Sequence, residues 1–516
     1  MNARRVALGT FIGVEAASLV LFVRVGRFAW FSQDEWDFLA NRSAGDLGDL
    51  FRPKNEHWTT LPILAFRCLW WLFGLRSYVP YLVLVVTLHL IVAALLRAVM
   101  RRADVGPWLS TAVASAFALF GTGYFNIEYA FQITFVGSLA FGLAHLLLAD
   151  HDGAPDWRDG LGILAGLASL ACSGVGLAMA VVVGIAVLVK RGIPTALLHV
   201  GPLGGAYLVW FLVIGHEGER AARGANFEQT IRFMTRELRA TFGALGQLPG
   251  VGIALAVVLV VGLAIAWGPL RGALLHQRAA VPAALLFGAA VFLLTTAISR
   301  GGPFATSTPP APASRYRYII AALVLPALAV AAEAVSRRWR TLAPVVLVLV
   351  LVGIPGNVRV LVDNTPDWRV YKLLVLSAPR LPISAALPRS VRPVGFGNPW
   401  LTMGWLRDGI ASGRIPEPKP LTPEYVAFRT LGLALQPARS VTRRPCLGLP
   451  KPVVRVLATG QVLMVKSGTV LVSFEPLGGA ASPARLLHPG TYVAVAGPLR
   501  LRLSPVSANE AAVVCG

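Results

Sequence analysis

The sequence predicts a polytopic α-helical membrane protein carrying a C-terminal, extracytoplasmic β-rich domain. Three observations carry that prediction. Of 516 residues 55% are hydrophobic and only 14% are charged, against roughly 25% charged in soluble domains, so there is too little charge to cover a soluble surface. Apolar runs of membrane-crossing length recur as far as residue 355. Beyond it Pro and Gly punctuate the chain and short alternating segments replace the long runs.

A span needs about 20 mostly apolar residues, and cytoplasmic ends collect Lys and Arg. The first run, 6–23, follows Arg4 and Arg5, lacks a small-x-small cleavage site and ends at Arg24 and Arg27, so it reads as an uncleaved anchor. Further runs occupy 78–98, 108–120, 130–149, a short pair at 160–171 and 176–189, then 194–214, 251–267, 281–298, 318–334 and 342–354, about eleven spans in all. With the N-terminus inside, Arg97/Arg101/Arg102, Lys190/Arg191, Arg271/Arg278 and Arg337/Arg338/Arg340 all fall on the cytoplasmic side and the C-terminus lies outside. Counting the short hairpin as two spans or none leaves this parity unchanged.

The domain reading is therefore a transmembrane region 1–355, an extracytoplasmic linker or α-β region 356–444, and a β-sandwich-like domain 445–516. In the last, 453–457, 462–465, 469–474, 492–496 and 499–503 alternate as strands do. Cys446 and Cys515 bracket this piece, and an oxidising exterior favours a disulfide between them. Cys68 and Cys172 lie in embedded segments and read as small apolar side chains.

The net charge of +22, from 47 Lys+Arg and 25 Asp+Glu, does not make this a nucleic-acid binder. Only six of the basic residues are Lys, and Ala, Gly and Pro are abundant, as a GC-rich genome would give by default. The tail from Gly356 on, with 19 basic and 7 acidic residues, 19 − 7 = +12, could dock an anionic envelope polymer, though the same default accounts for it first. Glu15 and His89 are isolated polar residues in apolar runs, and no chain of acids suited to a proton-driven pump is visible.

Polar residues concentrate in the outer loops. Directly after the first span, Asp34, Glu35 and Asp37 stand among Trp30, Phe31, Trp36 and Phe38, aromatic residues of the kind that anchor a segment at headgroup level. A carboxylate there suits a general base toward a hydroxyl acceptor. Asp34 and Glu35 are also candidate ligands for a divalent cation, although no metal site is assigned. The alternative is a capped interfacial helix with Ser32 as N-cap and Glu35 at the third position. The loop ends in Lys54-Asn55-Glu56-His57-Trp58, read either as a polar cluster facing the acids, with Asn55, Glu56 and His57 meeting substrate, or as a helix start.

Two further outer segments are candidates. Between the third and fourth spans lie Asn126, Glu128 and Gln132; the last two, four apart, share a face if that stretch is helical. The 299–318 loop ends in Arg315-Tyr316-Arg317-Tyr318, whose guanidinium forks match phosphate oxygens. The 215–249 loop adds His216, Glu217, Glu219, Arg220 and Arg223, and Arg232, Arg236 and Arg239 share a helical face there, read either as a face for anionic headgroups or a lipid phosphate or, chiefly, as a solvated amphipathic helix.

In topology and in its first-loop acidic motif, Asp34-Glu35, the chain resembles the GT-C superfamily of membrane glycosyltransferases over roughly residues 1–355. The resemblance implies a polyprenyl-phosphate sugar donor and inverting transfer to a hydroxyl of a cell-envelope glycan, lipid or protein. It maps the catalytic base to Asp34, with Glu35 or Asp37 as substitutes, and the lipid-phosphate contact to Arg315 or Arg317. It places the chain in the plasma membrane, among membrane lipids, and the GC-rich composition suggests an envelope of actinobacterial type. No phosphate-binding Gly-rich loop for a nucleotide is present. The rival readings are a non-catalytic or polymerase-type envelope glycan assembly protein and a transporter of lipid-linked glycan.

Overall fold

The computed structural model describes residues 3–217, 224–267, 279–302, 313–394, 399–416, 421–437, 446–449, 451–474, 484–497, 499–506 and 512–515. Glu219, Arg220, Arg223, Arg271, Arg278 and residues 303–312 of the 299–318 loop lie outside the described residues. The chain divides into two compact units. The first comprises Met1–Ala29, Arg42–Leu69 and Tyr78–Pro366, and the second Trp30–Asn41, Trp70–Ser77 and Asp367–Gly516.

The first unit is helical: α1 (Ala3–Val25), α2 (Leu47–Phe51), α3 (Thr60–Phe73), α4 (Val79–Arg102), α5 (Pro107–Ala118), α6 (Tyr124–Glu128), α7 (Ile133–Ala149), α8 (Trp157–Leu170), α9 (Val175–Arg191), α10 (Ile193–Val213), α11 (Phe227–Gly246), α12 (Val251–Trp267), α13 (Ala280–Arg300), α14 (Ser314–Arg338), α15 (Ala343–Leu351) and α16 (Ile354–Asn364). Local chemistry sets their starts. Pro lies in the first turn of α4, α5 and α10, where its missing N–H costs nothing. Asp156 with Asp159, and Asn226 with Gln229, form capping boxes at α8 and α11.

Every predicted apolar run is helical, but fewer reach spanning length. Among the described residues seven helical stretches are long and apolar enough to cross a membrane: Ala3–Phe28, Val79–Arg102, Ala130–Ala149, Ile193–Val213, Ala280–Arg300, Ser314–Arg338 and Arg340–Arg380. Phe227–Gly246 and Val251–Ala266, bent by 107°, add an eighth if taken as one. The runs at 108–120, 160–171 and 176–189 become α5, α8 and α9, with 12, 14 and 17 residues. At 1.5 Å per residue these cover about 18–26 Å of a hydrocarbon core about 30 Å thick.

Helix α7 packs on α4, α8 and α9, α12 on α14, and α13 on α9 and α14. Charge pairs gather three of the basic clusters at one end of this unit. Arg102 lies 3.5 Å from Asp150, which also holds Lys190. Arg191 lies 2.5 Å from Asp159. Arg337 donates to Glu333 at 2.7 Å and to the Asp104 carbonyl at 2.9 Å, in the turn that follows Arg102.

The second unit contains α17 (Arg369–Ser377), α18 (Met403–Ala411), α19 (Pro423–Ala434) and, among the described residues, nine strands: β1 (Leu435–Pro437), β2 (Cys446–Leu449), β3 (Val453–Leu457), β4 (Val462–Ser467), β5 (Val470–Phe474), β6 (Ala484–Leu487), β7 (Gly490–Ala494), β8 (Leu499–Pro505) and β9 (Ala512–Cys515). All five predicted strands form. They make sheets ordered β1-β7-β4-β9-β2 and β3-β8-β5-β6. Leu463, Val465 and Ala494 from one sheet share a core with Val470, Val472, Leu499, Leu501 and Leu503 from the other, which is sandwich packing. Strand β8 shows the period-two rule, with Leu499, Leu501 and Leu503 buried and Arg500 and Arg502 exposed. The first of these sheets also takes in β1, which pairs antiparallel with β7. The backbone register sets Cys446 opposite Cys515 on β2 and β9.

Candidate functional site

At the end of the first unit away from the basic clusters, polar side chains tie loops together. Asn357 on α16 accepts from the Thr122 N–H at 3.0 Å and its hydroxyl at 2.8 Å, and donates to the Ala244 carbonyl at 2.9 Å. Gln247 donates to Thr122 Oγ1 at 2.9 Å, and Ser314 Oγ to the Thr122 carbonyl at 2.6 Å. The loop ends after α5 and α11 and the starts of α14 and α16 therefore meet at Thr122, and Gly121 is needed there: a Cβ would lie 1.8 Å from the Asn357 carbonyl oxygen.

Onto this frame the segment 121–132 is folded, though not as one helix. Helix α6 ends at Glu128, Tyr129 is extended (φ −101°, ψ 105°) and a tight turn, Ala130–Gln132, leads into α7. The conditional expectation that Glu128 and Gln132 share a helical face is thus corrected. Both are nonetheless buried, at 3% and 2% exposure, as is Asn126 at 0%. Thr365 Oγ1 donates to Glu128 Oε2, while Glu128 Oε1, Gln132 Oε1 and Asn126 Oδ1 are buried acceptors with no hydrogen-bond partner among the described residues. Burial pushes the Glu128 carboxyl up to about 8, against the lowering effect of the Thr365 hydroxyl.

Lys54-Asn55-Glu56-His57 forms a tight turn and not a helix start. Lys54 and His57 exchange both backbone hydrogen bonds at 3.0 Å, and Asn55 takes φ +53° at the tip, which Asn tolerates. Glu56 Oε2 lies 3.4 Å from Arg300 Nη2. Burial, then the Arg300 charge and that of Arg315, hold the His57 imidazole down at about 4, with Glu56 opposing. Gly174 makes room for the ring, since a Cβ there would stand 3.0 Å from His57 Nδ1. Arg315 lies over the Tyr316 ring, 5.0 Å from its centroid, and its carbonyl accepts from Asn126 Nδ2 at 3.4 Å. Glu56, His57, Arg300 and Arg315 thus form one electrostatic group: two guanidiniums beside a neutral imidazole. Arg317, two residues on, is placed near Glu237 and Tyr124 instead.

Asp34, Glu35 and Asp37 belong to the second unit. Glu35 is fully buried and its Oε2 accepts from the Ser32 N–H at 2.7 Å, which is the Glu half of the capping arrangement. Asp37, 2% exposed, accepts from Asn41 Nδ2 at 2.6 Å. Asp34 is half-buried. The expectation of surface-anchoring aromatics is corrected: Trp30, Phe31, Trp36 and Phe38 are all buried. Trp36 donates to the Tyr371 hydroxyl at 3.2 Å and lies edge-on to Trp30 and Trp405, at 5.6 and 5.9 Å. Aromatic residues from the tail pack on Trp30 and Trp36, Tyr371 on both and Trp405 on Trp36, and the acidic turn is mounted on that cluster.

Sequence reasoning missed a buried chain of titratable groups in the first unit. His145 Nε2 and His199 Nδ1 are 2.9 Å apart, His199 Nε2 is 2.9 Å from Asp159 Oδ1, and His151 Nε2 is 3.1 Å from Asp159 Oδ2. The available signal was Gly162 and Gly166, one turn apart on α8; a Cβ at Gly166 would come within 2.6 Å of His145 Nδ1. His151, Asp156 and Asp159 also place ligand atoms within 4.8 Å of one another. Arg158 at 2.8 Å from Asp156 and Arg191 at 2.5 Å from Asp159 already neutralise those carboxylates, so this group fits a divalent cation poorly.

No protein-family model matches the chain, and no curated protein matches it.

Proposed function

We propose that the chain is a plasma-membrane glycosyltransferase that moves a sugar from a polyprenyl-phosphate donor to a hydroxyl of a cell-envelope glycan, lipid or protein. The observation that carries the reading is the Glu56–His57–Arg300–Arg315 group. Two guanidiniums beside an imidazole that stays neutral suit a departing phosphate anion. The acceptor oxygen forms its bond to the anomeric carbon as the bond to the phosphate oxygen breaks. The phosphate leaves on its lipid, the acceptor proton goes to Asp34, and the anomeric centre inverts. Glu35, through Ser32, braces the turn that carries Asp34. Buried acceptors at Asn126, Glu128 and Gln132 suit sugar hydroxyls. An inside N-terminus and outside C-terminus, with about eleven membrane-associated helices, follow from assigning the shared basic end to the cytoplasm.

The test is envelope glycan composition in a deletion strain complemented with wild type or Asp34→Asn, with immunoblots matching protein levels. Loss of the same sugar in the deletion and in the Asn strain supports transfer; full restoration by Asp34→Asn removes Asp34 as the base. The His145–His199–Asp159 chain favours a second reading, a proton-linked transporter of lipid-linked glycan. That reading expects Asp34→Asn to be silent and His199→Asn to abolish the glycan.

A further inference from the structure

Helix α11 has three faces. Thr230, Glu237, Thr241 and Ala244 are buried, and Glu237 Oε1 accepts from the Ala313 N–H at 3.2 Å. At 100° per residue, Phe227, Ile231 and Leu238 fall within about 40° of one another on a second face, and Arg232, Arg236 and Arg239 within about 60° on a third, the two centred roughly 120° apart. The second face is open: Phe227 is 82% exposed, Ile231 45% and Leu238 39%. The three arginines are exposed as well. At its C-terminal end the chain turns through 107° into α12, whose Ile253, Val257 and Val260 are 74%, 53% and 68% exposed, an apolar stripe suited to acyl chains. At its other end the Ala225 N–H bonds the Ile298 carbonyl near the end of α13.

If α12 is set in the bilayer, a helix bent from it by 107° is directed across the membrane surface. A solvated helix would leave Phe227, Ile231 and Leu238 in water; an interfacial one buries them while its basic flank meets headgroups. We propose that α11 lies in the membrane interface and docks on an anionic phospholipid leaflet, with Phe227, Ile231 and Leu238 in the acyl boundary and Arg232, Arg236 and Arg239 on headgroup phosphates. This depends on the chain spanning a membrane and not on what it transfers, so it stands or falls apart from the Asp34 test.

The experiment is thermal unfolding of the purified protein in neutral detergent, followed by tryptophan fluorescence, while phosphatidylglycerol, phosphatidylcholine or inorganic phosphate is titrated in. Phosphatidylglycerol raises the midpoint; phosphatidylcholine and inorganic phosphate do not. A basic side chain at an anionic leaflet is worth roughly fivefold in affinity. The triple change Arg232→Gln, Arg236→Gln, Arg239→Gln therefore shifts the half-maximal lipid concentration upward on the order of 100-fold, and the matching Lys triple restores it. Should the Gln triple fail to fold, molar salt must abolish the wild-type response by screening exposed arginines. The proposal is overturned if the Gln triple titrates like wild type, if phosphatidylcholine serves equally, if inorganic phosphate reproduces the shift, or if the response survives molar salt.

Discussion

Replacing Glu128 by Gln separates the burial of this side chain from its charge. The carboxyl is 3% exposed and is displaced from an ordinary 4.5 to about 8. A tenfold change in proton affinity is worth about 1.4 kcal/mol, so the folded state favours the protonated form by about 5 kcal/mol. Because the folded value is the higher one, this stabilisation is complete below pH 4.5 and is lost as pH rises through about 8. Gln keeps the shape and has no proton to lose. The Tm of Glu128→Gln minus that of wild type, measured in one detergent from pH 5 to pH 9, is therefore expected to rise steadily with pH. Even a third of the full effect would be resolved. Parallel pH profiles for the two proteins would refute the argument, because an ionised Glu128 would then be as comfortable in the folded chain as in the unfolded one.

Asp159→Asn removes the anion shared by Arg191, His199 and His151, leaves a nearly buried guanidinium unpaired, and is expected to cost about 3–5 kcal/mol, read as a lower unfolding midpoint. Stability tied to neutral His57 is present above its ordinary 6.5 and lost as pH falls through about 4; Arg300→Gln removes one opposing charge and should move that acid limb to higher pH, read by the pH dependence of diethylpyrocarbonate labelling at His57. Oxidation of Cys446 with Cys515, which are backbone partners, closes a loop of about 70 residues worth roughly 4 kcal/mol, so reductant or Cys446→Ser should lower the sandwich's unfolding midpoint and slow migration on a non-reducing gel.

Much of the architecture was legible locally. Helix α4 and the strand β8 are written in their own periodicities, because a run of apolar residues and an alternation of Leu with Arg each reflect the immediate environment of consecutive side chains. Other features were not. Whether 124–132 is one helix depended on Tyr129, where anchoring in the tertiary structure overrode a helix-compatible sequence. Trp36 reads as an interfacial anchor until Tyr371, more than three hundred residues away, is placed beside it. His145, Asp159 and His199 are three unremarkable residues until three helices converge.

By itself the sequence determined the membrane class, the helical runs, the β-rich tail and the basic clusters that the fold draws to one end, since hydrophobicity, charge and period are sums over neighbouring residues. Only the tertiary structure decided which acids are paired, capped or buried, which helices stop short of spanning length, and that α11 and α12 meet at a bend of 107°, since burial and pairing depend on chain segments that no local pattern connects.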